Sequence, residues 1–152
     1  MPTLFRGTSE GYPGSPGNQR VGITPTTTNP AVATVFGTQS SQYGNGVVHV
    51  AVPGDVAAVD ILPSGYSQSP TLGTVEAEIP VNMPPAQFAN QASVTITAAQ
   101  ARSILSDMGI NISGNITAQG SDLTNLLKGL PTLTSEQVQT FVQKAMQLSK
   151  GK

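Results

Sequence analysis

Alternating hydrophobic and polar positions in the middle of the chain predict short β-strands. Residues 47–52 are rich in valine, as strands are. Residues 75–79 alternate apolar side chains with Glu76 and Glu78, which predicts a strand with one buried face. The apolar run at 56–62 predicts a more fully buried strand.

Two capping boxes predict the starts of helices in the last third of the chain. After a short strand pattern at 94–96, Thr97 is followed three residues later by Gln100, and Thr134 by Gln137. In such a box the first side chain accepts a hydrogen bond from the third helical amide, and the Gln side chain reaches back. The helix that starts at the Thr134 box carries an apolar stripe on one face, formed by Val138, Phe141, Val142, Ala145 and Leu148.

The segment between these boxes predicts a shorter helix and a polar turn region. Gly109 suits the left-handed position after the first helix, and Ser121 can cap a second helix that ends at Gly129. Residues 111–113 and 115–117 match the glycosylation acceptor pattern. Because the chain shows no secretion signal, we interpret both as part of a polar turn region.

Glycine and proline concentrate before residue 86, since Pro131 is the only proline beyond Pro85. Residues 1–30 have few apolar anchors, and residues 21–54 contain no charged side chain. We therefore expect an extended arm at 1–30 that becomes ordered only on a partner, such as another subunit. The predicted class is α+β, with this arm, a β-rich region at 31–96 and a helical region at 97–152 packed on it as one body.

Charge and composition exclude several classes of function. The 152 residues include only 7 Lys and Arg and 8 Asp and Glu, a net charge of -1. A nucleic-acid partner or an anionic membrane surface would require a basic face. With no cysteine there is no disulfide and no thiolate ligand. The first residues lack the layout of a signal peptide, so we expect synthesis in the host cytoplasm without export.

The candidate chemical groups are few and scattered. His49 is the only histidine, with Asp55 and Asp60 the nearest acids, but a hydrolase triad needs a nucleophile as well. The alternative is a histidine without a chemical role, partly exposed on a strand. Glu76 and Glu78 could together bind a divalent cation, or could simply be a solvated strand face. We expect no catalytic residue, no cofactor and no metal.

The uncharged segment at 21–54 and the low-charge turns at 44–46 and 63–65 resemble, in style, the small decoration or cement proteins of tailed bacteriophages. The resemblance covers about the first 85 residues and carries no diagnostic motif. It implies a non-enzymatic structural protein on the capsid surface of the virion. It also implies the major capsid protein as partner and a homo-oligomer, commonly a trimer.

Three alternatives remain open at this stage. In a minor tail or connector component, the helical stripe around Phe141 would pack in a ring of subunits. In a carbohydrate- or surface-binding module, Tyr43, His49 and Tyr66 would lie on an exposed β face. A small hydrolase would depend on His49 alone.

Overall fold

A five-stranded antiparallel sheet forms the centre of the protein. The computed structural model describes residues 2–10, 22–39, 44–67 and 75–150. The strands lie in the order β4-β2-β1-β3-β5; they are β1 Leu4–Ser9, β2 Thr24–Thr27, β3 Gly46–Ala51, β4 Glu78–Val81 and β5 Val94–Thr97. The α-helices of the described residues are α1 Pro30–Thr38, α2 Pro85–Gln91, α3 Ala98–Asp107, α4 Gly120–Lys128 and α5 Ser135–Lys150. The predicted α+β class is confirmed.

The predicted N-terminal arm at 1–30 is wrong wherever the structure describes it. β1 is the central strand: all six of its residues pair with β3, and β2 pairs on its other side. Leu4 and Phe5 are 2% and 0% exposed. Two apolar residues ahead of a Gly/Pro-rich stretch only weakly indicate a strand. The strand forms because it pairs with segments distant in sequence, which the local pattern does not show. The remainder of the predicted arm, residues 11–21, lies outside the described residues.

Two of the four strand predictions are confirmed, and two need correction. The predicted strands at 47–52 and 94–96 are β3 and β5. Residues 56–62 are not a buried strand but a connection containing the 3₁₀ turn Ala58–Asp60. The strand predicted at 75–79 begins only at Glu78, because Ala77 has a φ of 49°, and a left-handed residue cannot continue the pleat.

Helix α1 lies in the region that the pattern predicted as β. The Asn29 side chain accepts a hydrogen bond from the Ala31 amide at 2.9 Å, which makes it an N-cap. Pro30 follows in the first turn, where a missing amide hydrogen costs nothing. Asn followed by Pro was therefore a readable start signal, although the valines after it favour a strand.

One face of the sheet is covered by α1, α3 and α5, which together form the main core. Phe5 of β1 meets Phe141 of α5 edge to face, with ring centroids 5.6 Å apart and planes at 84°. Such a pair contributes ~0.5–1.5 kcal/mol beyond the area it buries. The buried members are Phe5, Ala31, Ala33, Val48, Val50, Val94, Ile96, Ala101, Ile104, Leu105, Phe141 and Ala145.

Helix α1 approaches the sheet unusually closely, and glycines permit this approach. A Cβ built on Gly7 would lie 1.7 Å from the Ala33 carbonyl oxygen, and one on Gly46 would lie 1.7 Å from the carbonyl oxygen of Gly37. Neither space admits a methyl group. The missing side chains of β1 and β3 thus set the distance between helix and sheet.

The two capping boxes in the last third are confirmed. The Gln100 amide donates to Thr97 Oγ1 at 3.0 Å, and the Thr97 amide donates to Gln100 Oε1 at 3.0 Å. Thr134 and Gln137 make the same reciprocal pair. The cap predicted at Ser121 is wrong: the helix begins at Gly120, its N-cap residue is Gln119, and Ser121 lies in the first turn.

The opposite face of the sheet has a smaller apolar cluster at one end, under α2. Phe88 of α2 is fully buried there against strand residues. The buried members are Leu4, Ala51, Val56, Val81, Met83 and Phe88. Val56 belongs to the connection between β3 and β4, so this cluster fixes the start of that connection.

Candidate functional site

The connection between β3 and β4 is held in place by the carboxylate of Asp55. Asp55 Oδ2 accepts hydrogen bonds from the Val52 amide at 3.0 Å and the Ser93 amide at 2.8 Å, while Oδ1 accepts from Ser93 Oγ at 2.7 Å. Hydrogen bonds to an ionised acceptor are about twice as strong as neutral ones. Asp55 therefore ties the turn after β3 to the residue that precedes β5.

Further along this connection, residues 60–62 are bound to the edge of the sheet. The Leu62 amide donates to the Pro80 carbonyl at 2.9 Å, and the Asn82 amide donates to the Asp60 carbonyl at 2.7 Å. Ile61 forms a bridge with Val81 of β4. The segment from Asp55 to Leu62 is thus fixed at both of its ends, and Asp60 takes part through its backbone.

Between these two anchors, three consecutive apolar side chains point to solvent: Ala57, Ala58 and Val59, here called the apolar turn. Val59 is 83% exposed, and Tyr66, further along the same connection, is 43% exposed. Burial of a valine side chain stabilises the folded state by roughly 1.5–3 kcal/mol. An ordered turn that leaves Val59 in water does not gain this stabilisation. Runs of exposed apolar residues generally indicate a contact surface. We take the apolar turn as the candidate site.

His49 lies in a polar row across three strands, on the face opposite the main core. It pairs with Arg6 of β1 and Thr95 of β5, and His49 Nδ1 is 2.8 Å from Thr95 Oγ1. Burial, followed by the nearby Arg6 guanidinium, lowers the pKa of His49 to about 4. The ring is therefore neutral at pH 7 and a weak base. Its position as a partly exposed strand histidine is confirmed.

Within the part of the chain that the structure describes, neither of the two predicted acids, Asp55 and Asp60, is a hydrogen-bond partner of His49. The Asp55 carboxylate is engaged by Val52 and Ser93, and Asp60 lies in the 3₁₀ turn. A triad also needs a carboxylate that orients the imidazole, and neither of the two predicted acids does so.

Glu76 and Glu78 do not share a strand face as predicted. Glu76 lies in the turn before β4, whereas Glu78 is its first residue. Burial, followed by repulsion from Glu78, raises the pKa of Glu76 to about 7. Within the described residues, no cluster of three His, Cys, Asp or Glu side chains could bind a metal ion.

Two cavities adjoin helix α4. One, of about 290 Å³, is lined by the loop that contains both predicted glycosylation patterns, so the predicted polar turn region is confirmed at 111–117. The other, of about 330 Å³, includes Lys128 and the left-handed Ala77 in its wall. Lys128 is the only charged residue lining either cavity, as far as the described residues go.

Sequence reasoning missed the apolar turn because it assigned residues 56–62 to a buried strand. A usable signal was the alanine pair Ala57-Ala58, since alanine is depleted in strands. Comparison with known protein families, with curated proteins and with solved structures found no match. Among the described helices, none has both the length and the apolar character to cross a bilayer.

Proposed function

We propose that this chain is a non-enzymatic structural protein of a virus particle, a decoration protein that binds the capsid shell as an oligomer. The apolar turn is the observation that carries the proposal. A rigid connection that holds Val59 in solvent is preorganised for contact, because ordering it on a partner costs little further entropy. The low charge of the chain favours a permanent assembly over a steered, transient encounter.

The contact surface differs from the one expected at 1–30. Because β1 and β2 belong to the sheet, residues 4–9 and 24–27 are not free to wrap a neighbour. The apolar turn takes the role first given to the arm, with the major capsid protein as partner.

The stripe on α5 favours decoration over a ring-forming tail component. Phe141 and Ala145 are fully buried within their own chain, so they are not available to a neighbouring subunit. The surface-binding alternative retains Tyr66 alone as an exposed aromatic: Tyr43 lies outside the described residues, and the His49 ring is hydrogen-bonded to Thr95.

The proposal is tested by co-sedimentation with virus particles prepared without this protein. The wild-type chain should pellet with them, and Val59→Ser should bind about tenfold more weakly, since a buried valine contributes at least ~1.4 kcal/mol. Leu148→Ser is the matched control, because Leu148 is an exposed leucine on α5. It should bind like the wild type.

The two parts of the proposal fail in different ways. A wild-type chain that does not pellet would overturn the capsid role. Equal binding of Val59→Ser and the control would overturn the assignment of the apolar turn alone. Light scattering should give a mass about three times the chain's 15.6 kDa, and a stable monomer would contradict the oligomer.

A further inference from the structure

Helix α4, Gly120–Lys128, has one fully buried side chain, that of Leu127, and Leu123 packs partly buried against the same cluster. Leu127 is the only buried residue of its nine, whereas α3 buries four of its ten. Leu126, the neighbour of that anchor, is 38% exposed. Helical stability in proteins comes mostly from the packing of an apolar face, and α4 has little of it.

The N-terminal end of α4 is also weakly fixed, whereas its last turn is closed by hydrogen bonds from the Gly129 amide to the Asn125 and Leu126 carbonyls. Its N-cap residue is Gln119, whose side chain makes no capping hydrogen bond, while α3 and α5 both begin with reciprocal boxes. Gly120 follows with a φ of 59°, and Gly129 ends the helix. Glycine has the most backbone freedom to lose on ordering, so both junctions can serve as hinges.

Cavities flank the helix on two sides. The one of about 290 Å³ is lined by Leu126 and Leu130, and the one of about 330 Å³ by Leu127, Lys128 and Leu130. Both cavities open to solvent, so the side chains of α4 that line them lack protein contacts on that side. The packing of α4 is therefore looser than that of the main core.

The cluster beneath α4 has its own buried residues, and Ile112 and Leu130 link it to the main core. Leu127 packs in a cluster with Val32, Val35 and Ile116, on the side of α1 that faces away from the sheet. Ala31 and Ala33 of the same helix pack in the main core. Removal of α4 would uncover Val32 and Val35 without disturbing the sheet.

We propose that α4 is a lid that opens as a unit, ahead of global unfolding, and uncovers the outer apolar face of α1. Such sub-global opening is expected for an element with few buried contacts. The inference does not depend on the proposed function.

Amide hydrogen exchange of the full chain tests the lid. The amides of residues 123–128 should exchange at least ~100-fold faster than the buried amides of α3 and α5, with a smaller urea dependence. Gln119→Asp supplies the missing cap and should slow exchange in α4 about fivefold. Leu127→Ala should speed exchange in α4 and leave α3 unchanged.

The control is Leu126→Ala, the same change one residue away at an exposed position. It should alter exchange in α4 less than about twofold. The lid is overturned if α4 exchanges with the rate and urea dependence of α3 and α5. It is also overturned if Leu126→Ala has the same effect as Leu127→Ala, or if Gln119→Asp leaves exchange in α4 unchanged.

Discussion

Replacement of Gly7 by alanine should destabilise the protein by about 3 kcal/mol, at the upper end of the cost of overpacking a core. The new Cβ would lie 1.7 Å from the Ala33 carbonyl oxygen and 2.6 Å from the Gly37 amide nitrogen. Both are backbone atoms of α1, so no side-chain rotation relieves the contact. Because real Cβ contacts lie at 3.0 Å or more, α1 must move away by more than about 1 Å.

That movement has consequences on both faces of α1. Ala31 and Ala33 lose contact with the sheet, and Val32 and Val35 are pushed against the cluster under α4. A gap of ~0.5–1 Å already forfeits a quarter to a half of a dispersion contact. These losses add to the strain at Gly7.

Urea unfolding followed by circular dichroism measures the effect. Gly65→Ala is the control, because a Cβ at Gly65 meets nothing within 4 Å, and it should lie within about 0.5 kcal/mol of the wild type. Gly46→Ala should cost as much as Gly7→Ala. The double variant should cost less than the sum, since one retreat of α1 relieves both contacts. A Gly7→Ala variant as stable as the control would refute the close approach of α1.

The remaining predictions concern opposite pH dependences of stability. The pKa of His49 is lowered from 6.5 to about 4, so stability is full above pH 6.5 and falls by roughly 3 kcal/mol as the pH drops to 4. His49→Gln should remove this acid loss, and an unchanged acid slope in urea titrations would contradict it. The pKa of Glu76 is raised from 4.5 to about 7, so stability is full below pH 4.5 and falls as the pH rises to 7, by ~1–2 kcal/mol after allowance for solvent screening. Glu76→Gln should remove this loss of stability between pH 4.5 and 7, whereas His49→Gln should not. An equal dependence of stability on pH in the two variants would disprove the assignment of the loss to Glu76.

In the last third of the fold, local signals in the sequence were sufficient for the starts of α3 and α5, but not for the start of α4. A capping box involves residues three apart, and both boxes form as predicted. Gly109 has the expected positive φ of 83°. In each case the interacting groups lie within one helical turn, so no distant partner has to be known.

Strands that depend on distant partners could not be predicted in this way. β1 is a strand because β2 and β3 pair on either side of it. Its local sequence has only one short apolar pair, Leu4 and Phe5, and so was interpreted as part of an extended arm. The strand predicted from the apolar run at 56–62 was wrong for the converse reason. It has the composition of a buried strand, but only Val56 is buried, and Ile61 packs partly buried against the same cluster.

The candidate site depends on the same kind of distant contact. The Asp55 carboxylate holds the apolar turn through Ser93, which lies 38 residues away, so the sequence offered Asp55 only as a candidate acid. Other charged groups are used in a similar way: Arg102 donates to Thr38 at 2.9 Å, and Arg6 donates to the Pro25 carbonyl at 3.0 Å. In a chain with 15 charged residues among 152, groups that fix backbone segments are not free for acid–base chemistry. The exposed apolar side chain of Val59, which such a bond keeps in place, is therefore the feature on which a test of function should concentrate.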